Sequence, residues 1–148
     1  MERPVGVVRI RVTHETPPKA RRPPPVRVAG TKVGFFGMTE PESGSDVASM
    51  KTLARDMGDH WEVTGSKIWV SNATQGDAGL LYVMTDPDQK HRGMSAFILE
   101  PKALENFVAT DIETKLGLHC APTGEMAFHG TKLPKDALLG EAGDGFKI

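Results

Sequence analysis

The sequence predicts an all-β domain. From Thr31 onward, strand-sized runs of apolar or alternating residues follow one another, and turn signals rich in glycine and aspartate separate them. No stretch of ten residues in this part of the sequence shows a convincing helical repeat. Short strands joined by tight turns favour an antiparallel β-barrel or sandwich that closes its edges on itself.

Nine segments have the length and pattern of strands. In chain order they are 33–38, 51–57, 60–64, 67–70, 79–85, 94–100, 107–112, 125–128 and 132–134. The turn signals between them include Gly58-Asp59, Gly65-Ser66, Asp86-Pro87-Asp88 and His129-Gly130. Segment 46–55 is ambiguous, because Asp46 could cap a helix, whereas Thr52 and the Gly58-Asp59 turn favour a hairpin arm.

Residues 1–30 differ from the rest and are predicted to be a disordered tail, followed by one domain over 31–148. The tail holds six of the eleven prolines and seven basic side chains against two acidic ones. Clustered prolines favour an extended, solvated chain, although 8–12 could form a short strand. A transit peptide or a basic nucleic-acid-binding arm remains an alternative for this tail.

Composition excludes several classes of function. The body from Thr31 carries eleven basic residues against seventeen acidic ones, so we expect no nucleic-acid binding there. The single cysteine, Cys120, excludes an internal disulfide. We expect no membrane span and no secretory signal, and therefore a cytoplasmic protein, or one of the mitochondrial matrix in a eukaryote. The five histidines show no i, i+4 pair, so no metal site is predicted.

Two segments together suggest a flavin pocket. The stretch Met38-Thr39-Glu40-Pro41-Glu42-Ser43-Gly44-Ser45-Asp46 places hydroxyls, glycine and turn formers after an apolar run, so some of its backbone N–H groups can receive oxygen atoms. The later stretch Lys67-Ile68-Trp69-Val70-Ser71-Asn72 sets an indole two residues from a hydroxyl, which on a strand gives both one face. A planar heterocycle with polar edges fits such a surface.

These motifs resemble the middle domain of acyl-CoA dehydrogenases. The resemblance extends from about Gly34 to the last residue, and its pieces keep the order found in that family. They are Gly37-Met38-Thr39-Glu40-Pro41, Gly44-Ser45-Asp46-Val47-Ala48, Gly65 to Asn72, Gly93 to Glu100, Lys115-Leu116-Gly117-Leu118, Leu133-Pro134-Lys135, Leu139-Gly140 and Gly143 to Lys147.

The resemblance implies a β-barrel that covers one side of FAD. Carried over by position, it assigns Thr39 to a hydrogen bond with the flavin ring, Trp69 to a place beside that ring, and Ser71 to the neighbourhood of the hydride-accepting N5 atom. The implied cofactor contacts are Phe36, Gly37, Met38, Thr39, Gly44, Ser45, Trp69, Val70 and Ser71, and the implied acyl-CoA contacts are Ser45, His91 and Arg92.

The resemblance also implies an activity, namely α,β-dehydrogenation of acyl-CoA thioesters with an electron-transferring flavoprotein as the electron acceptor. Members of the family are commonly homotetramers, and their catalytic glutamate lies in a C-terminal helical domain. We therefore assign no catalytic residue within these 148 residues and expect no competent dehydrogenase from them alone. Two alternatives remain open: a non-catalytic, truncated barrel, and a segment of a related flavin oxidase or monooxygenase.

Overall fold

The computed structural model describes residues 32–148, which form a β fold with short 3₁₀ turns. The tail predicted over 1–30 and the short strand suggested at 8–12 lie outside the described residues. Within 32–148 the strands are β1 (Gly34–Gly37), β2 (Leu53–Asp56), β3 (His60–Ser71), β4 (Ala78–Met84), β5 (Met94–Leu99), β6 (Phe107–Asp111), β7 (Thr123–Pro134) and β8 (Leu138–Leu139). The predicted β class is confirmed.

The strands form one sheet in the order β6-β7-β3-β2-β4-β5-β8, with β1 beside β4. Most neighbours are antiparallel, but β4 is parallel to both β1 and β2. Strand β5 pairs along one edge of β4, and β1 and β2 share its other edge. Within residues 32–148, β6 and β8 are the ends of the path and do not pair, so the closed, wholly antiparallel barrel of the prediction is not observed.

Two predicted turns are irregularities inside long strands. Gly65 lies within the twelve-residue β3, and Gly130 lies within the twelve-residue β7. In the β3–β7 pairing, Val63 faces Thr131 and Thr64 faces His129, so Gly130, at φ +70°, is the extra residue of a β-bulge. The turn predictions at Gly65-Ser66 and His129-Gly130 were wrong, because a bulge at Gly130 and the close approach of Thr52 to Gly65 require glycine as a turn does.

Segment 46–55 supplies the predicted hairpin arm. Asp46 precedes only a three-residue 3₁₀ turn, Val47–Ser49, and its side chain caps no helix. Strand β2 then pairs antiparallel with β3, with Leu53 opposite Thr64. The hairpin interpretation is therefore confirmed, and it places the entrance to β2 next to the middle of β3.

The core consists of two apolar clusters. The larger one contains Phe35, Val63, Leu81, Phe97 and Phe128 among other residues, which lie on β1, β3, β4, β5 and β7. The smaller one is rich in methionine and contains Met50, Leu80, Tyr82, Met84 and Met94, with Met38 packed against it. Every residue of β4 is buried, because this central strand contributes side chains to both clusters.

The remaining structure is short and irregular. The 3₁₀ segments beyond Val47–Ser49 are Pro87–Gly93, Pro101–Ala103, Lys135–Ala137 and Asp144–Phe146. The last of these lies against the start of β5, where the buried Ser95 Oγ accepts a hydrogen bond of 2.8 Å from the Gly143 backbone N–H. Across residues 32–148 we find no helix with the length and apolar character needed to traverse a bilayer.

Candidate functional site

The segment that follows β1 runs beside the end of β3. Asn72 Nδ2 donates to the Gly34 carbonyl oxygen at 3.0 Å, and the Ile68 N–H donates to the Thr39 carbonyl oxygen at 2.9 Å. The first segment meets Asn72 near its start, at Gly34, and meets the earlier Ile68 farther along, at Thr39. The two segments therefore run antiparallel. The structure thus brings together the two stretches, 36–39 and 68–71, that the sequence assigns to one site.

Two aromatic side chains of these segments are unusually exposed. Trp69 is 59% exposed and Phe36 is 42% exposed, whereas Val70, between Trp69 and Ser71, is 1% exposed and belongs to the core. The Phe36 ring contacts the Tyr82 ring, with 5.2 Å between their centroids. Val70 therefore anchors the strand end through its side chain, while Trp69 and Ser71 remain exposed on either side of it.

The backbone at Trp69 is strained. Its φ is +60°, a left-handed conformation that is uncommon for a bulky residue, and the β3–β7 register shifts between Lys67 and Val70. Such a conformation persists only where the surroundings impose it, and strained residues concentrate at functional sites. The bulge turns a large indole away from the core cluster that holds its neighbour Val70.

Hydroxyl groups near this surface fall into two sets. Ser43 Oγ and Ser49 Oγ both donate to the Asp46 carbonyl oxygen, at 2.7 Å and 2.8 Å, and so shape the 38–46 loop, which follows β1. The hydroxyls of Thr39, Ser45 and Ser71 make no hydrogen bond within residues 32–148. These three groups have donor and acceptor capacity available for a ligand.

The two glycines predicted for the site differ in what surrounds them. A Cβ built on Gly37 would meet Leu81 and Lys67 at ordinary contact distances, so Gly37 lies close to β3 and β4. A Cβ built on Gly44 would meet no atom within 4 Å, and the φ of Gly44 lies outside the left-handed range. Neither the backbone nor the packing requires glycine at 44, which fits a role in leaving room for a bound group.

A buried ion pair lies beneath the 38–46 loop. The Lys67 ammonium, on β3, lies 2.6 Å from Glu40 Oε1, and both side chains are buried. Sequence reasoning left this pair out, since it assigned no role to Glu40 and treated Lys67 only as part of a motif. The sequence does contain one indication that Lys67 is buried. It shares the inward-facing alternation of β3 with Trp61 and Val63, and a charged side chain at such a position requires a partner.

Burial and hydrogen bonding act in opposite directions on this pair. Burial raises the pKa of Glu40, but the Lys51 backbone hydrogen bond and the hydrogen bond and charge of Lys67 outweigh that effect, so the pKa of Glu40 is below its ordinary value. Burial lowers the pKa of Lys67, and the nearby carboxylate offsets this only in part. Glu40 is therefore held as a carboxylate.

His91 and Arg92 occupy a second region. They line an open depression of about 460 Å³ together with Ala142, Gly143, Asp144, Phe146 and Lys147. The His91 ring contacts the Phe146 ring edge-on, with 5.7 Å between centroids. Their segment, Pro87–Gly93, contacts the Val47–Ser49 turn, which follows the 38–46 loop.

Metal-binding groups do not gather in the described chain. Among residues 32–148 we find no cluster of three or more histidine, cysteine, aspartate or glutamate side chains that could hold an ion. Cys120 is an exposed free thiol. The exposed rings of Phe36 and Trp69 offer aromatic contact, and the hydroxyls of Thr39 and Ser71 offer neutral hydrogen bonding.

The family model for the acyl-CoA dehydrogenase middle domain matches residues 35–131. The chain belongs to this family. Glutaryl-CoA dehydrogenase from Desulfococcus multivorans is 47% identical to it over 116 residues, which is 78% of this chain and 30% of that protein. The acyl-CoA dehydrogenase relationship predicted from the motifs is confirmed.

Solved structures agree with this family assignment. A glutaryl-coenzyme A dehydrogenase in complex with glutaryl-CoA is 44% identical and superimposes with a TM-score of 0.80, over 83% of this chain and 31% of that one. A glutaryl-CoA dehydrogenase from Mycobacterium smegmatis in complex with FADH2 is 34% identical with a TM-score of 0.71, over 78% of this chain and 28% of that one. The chain thus spans about a third or less of the length of these relatives.

Proposed function

We propose that the surface formed by Phe36, Thr39, Trp69 and Ser71 is one wall of the FAD and acyl-CoA pocket of an acyl-CoA dehydrogenase. The observation that carries this proposal is the exposed indole of Trp69, set by a strained bulge beside unpaired hydroxyls. Burying an aromatic ring removes about 150–250 Å² from water, so an indole left in solvent represents binding energy that a planar ligand can use.

The residues present fit a flavin. An isoalloxazine offers a flat apolar body and polar edges, and this wall offers aromatic area with hydroxyls at its margin. When bound, FAD supplies the hydride acceptor for α,β-dehydrogenation of acyl-CoA thioesters. We assign Thr39 and Ser71 to hydrogen bonds that orient such a ring. Phe36 and Trp69 are assigned to excluding water from it. Ser45 is assigned to both ligands, and His91 and Arg92 are assigned to the acyl-CoA.

The two glutamates of the 38–46 loop are already engaged. Glu40 is paired with Lys67, and Glu42 is exposed and paired with Lys51. We therefore propose that the proton-abstracting carboxylate comes from a part of the enzyme other than residues 32–148. Electron transfer to an electron-transferring flavoprotein and assembly as a tetramer belong to the same proposal for the whole enzyme.

A titration of the 148-residue chain with FAD, followed by flavin fluorescence, tests this function. We expect saturable binding that Trp69→Ala weakens at least about tenfold, which corresponds to about 1.4 kcal/mol. Ser71→Ala removes one neutral hydrogen bond and should weaken binding only about two- to thirteenfold. Met57→Ala is the matched control, because Met57 is also half exposed but lies beyond the other end of β3.

Two results would contradict the proposal. One is a chain that folds but shows no interaction with FAD, which would favour the non-catalytic barrel. The other is equal affinity for FAD in the wild type, Trp69→Ala and Met57→Ala, which would place the flavin elsewhere.

A further inference from the structure

We propose that the Glu40–Lys67 ion pair is the positioning element of the flavin wall, because it fixes the 38–46 loop against β3. Contacts within the chain support the role of the ion pair in fixing the loop. Its effect on FAD binding rests on the proposed function. Lys67 and Glu40 are positioning residues in this proposal, and we assign neither of them a contact with the reacting atoms.

The ammonium of Lys67 joins three segments. It donates to the Met38 carbonyl oxygen at 3.1 Å and to Glu40 Oε1 at 2.6 Å, and it lies 3.8 Å from the Met50 sulfur. Met38 and Glu40 lie on either side of Thr39, and Met50 precedes β2. All three of these contacts involve the 38–46 loop or the chain that returns from it to the sheet.

The carboxylate of Glu40 is equally occupied. Besides Lys67, its Oε1 accepts the Thr52 N–H at 3.0 Å and its Oε2 accepts the Lys51 N–H at 2.6 Å. The Glu40 backbone also exchanges two hydrogen bonds with Ser43, at 2.8 Å and 3.2 Å. One side chain thus ties both the start of the loop and the entrance to β2 to the middle of β3.

Outside the ion pair, and in the part of the chain that the structure describes, the side-chain bonds of the loop run within the loop or to the 47–51 segment that follows it, and not to β3. Pro41, Glu42, Gly44, Ser45 and Asp46 are exposed. Apart from the contacts of the ion pair, one backbone hydrogen bond joins this loop to β3 within residues 32–148, namely the bond from the Ile68 N–H to the Thr39 carbonyl oxygen. Loss of the ion pair should therefore free the loop and with it the hydroxyl of Thr39.

Amide hydrogen exchange without FAD tests the positioning role directly. In Glu40→Gln and Lys67→Met, we expect the amides of the 38–46 loop to exchange at least about tenfold faster than in the wild type. Amides at the centre of β4 and β5 should keep their protection. Lys67→Arg, which retains the charge and several donors, should restore most of the protection of the loop.

A core variant separates positioning from general stability. Val63→Ala removes methyl groups from a fully buried position on the same strand, so it should lower the melting temperature without a preferential effect on the loop. FAD affinity should fall about tenfold in Lys67→Met, recover in Lys67→Arg and stay unchanged in Val63→Ala at temperatures well below melting.

The two parts of the proposal fail in different ways. Unchanged loop exchange in both Glu40→Gln and Lys67→Met would overturn the positioning role, whatever the affinity for FAD. If loop exchange is faster in Glu40→Gln and Lys67→Met but the wild-type chain does not bind FAD, the loop-fixing role is retained and the proposed function is overturned. If Lys67→Met does not fold, the comparison of Glu40→Gln with Lys67→Arg gives the same decision.

Discussion

At the residue scale, some hydroxyl groups of the candidate site are hydrogen-bonded within the protein and others are not. Ser43 and Ser49 close the 38–46 loop on itself through the Asp46 carbonyl oxygen. The hydroxyls of Thr39, in the same loop, and of Ser71, at the end of β3, have no such partner among residues 32–148. The unpaired hydroxyls therefore keep donor and acceptor capacity that a ligand can use.

Gly44→Ala tests whether a position in the loop matters for FAD binding but not for folding. We expect the free energy of unfolding to change by less than about 0.5 kcal/mol, since the added methyl meets no neighbour and the backbone is relaxed. FAD affinity should fall, because the methyl occupies space that we assign to the ligand. Urea unfolding and flavin fluorescence measure the two effects.

Gly117→Ala is the matched control for that substitution. A Cβ at Gly117 also meets nothing within 4 Å, and its backbone is likewise outside the left-handed range. Both substitutions should therefore leave stability unchanged, and only Gly44→Ala should affect FAD. An equal effect of the two on FAD affinity would show that Gly44 has no special place in the site.

Sequence reasoning could find the exposed members of the site and missed the buried ones. Trp69, Thr39 and Ser71 stand in recognisable motifs, and the structure brings their segments together. Glu40 and Lys67 are 27 positions apart, and the need for a charge partner does not identify which of many acids supplies it. A long-range pairing of this kind depends on strand register, which the residues alone did not specify.

At the element scale, glycine was the source of the main errors. Gly65 and Gly130 separate apolar runs in the way that turn residues do, yet each lies inside a continuous strand. Gly65 is required because a Cβ there would come within 2.6 Å of the Thr52 Cα, where β2 approaches β3. Gly130 is required by its φ of +70° in the bulge. Local sequence does not distinguish these needs from those of a turn.

Asn72 links the end of β3 to β1, and its substitution tests that link. It has φ +62° and donates its side-chain amide to the Gly34 carbonyl oxygen. Asn72→Gly keeps the backbone relaxed and loses the hydrogen bond, so we expect a loss of about 0.5–1.5 kcal/mol from side-chain bonding. Asn72→Ala should cost about 1–2 kcal/mol more than Asn72→Gly, because alanine disfavours the left-handed region.

Asn106 provides the control for Asn72. It has a similar φ of +56° and immediately precedes β6, at one end of the strand path. Urea unfolding should show the same additional penalty for alanine over glycine at both positions. FAD affinity should respond to Asn72→Ala and not to Asn106→Ala, and the same response at both would mean that the link between β1 and β3 does not shape the site.

At the scale of the whole molecule, the order of the motifs predicted more than any single strand did. They indicated the family over the region from about Gly34 onward, and the family model matches 35–131. The all-β class followed from the short runs, but the open path from β6 to β8 and the parallel pairings of β4 did not. Those features depend on which strands meet across long connections, and strand patterning contains no such information.

The two tryptophans allow the most direct measurement of the flavin wall. Trp69 is 59% exposed on that wall, and Trp61 is 6% exposed in the core. In a ¹⁵N-labelled chain their indole N–H groups give separate NMR signals, which can be followed as FAD is added to millimolar concentration. We predict that the Trp69 indole signal and the amides of Thr39, Gly44 and Ser71 shift together and saturate while the Trp61 signal stays in place. Shifts confined to other residues, or no shift at the Trp69 indole, would contradict a flavin wall at this surface.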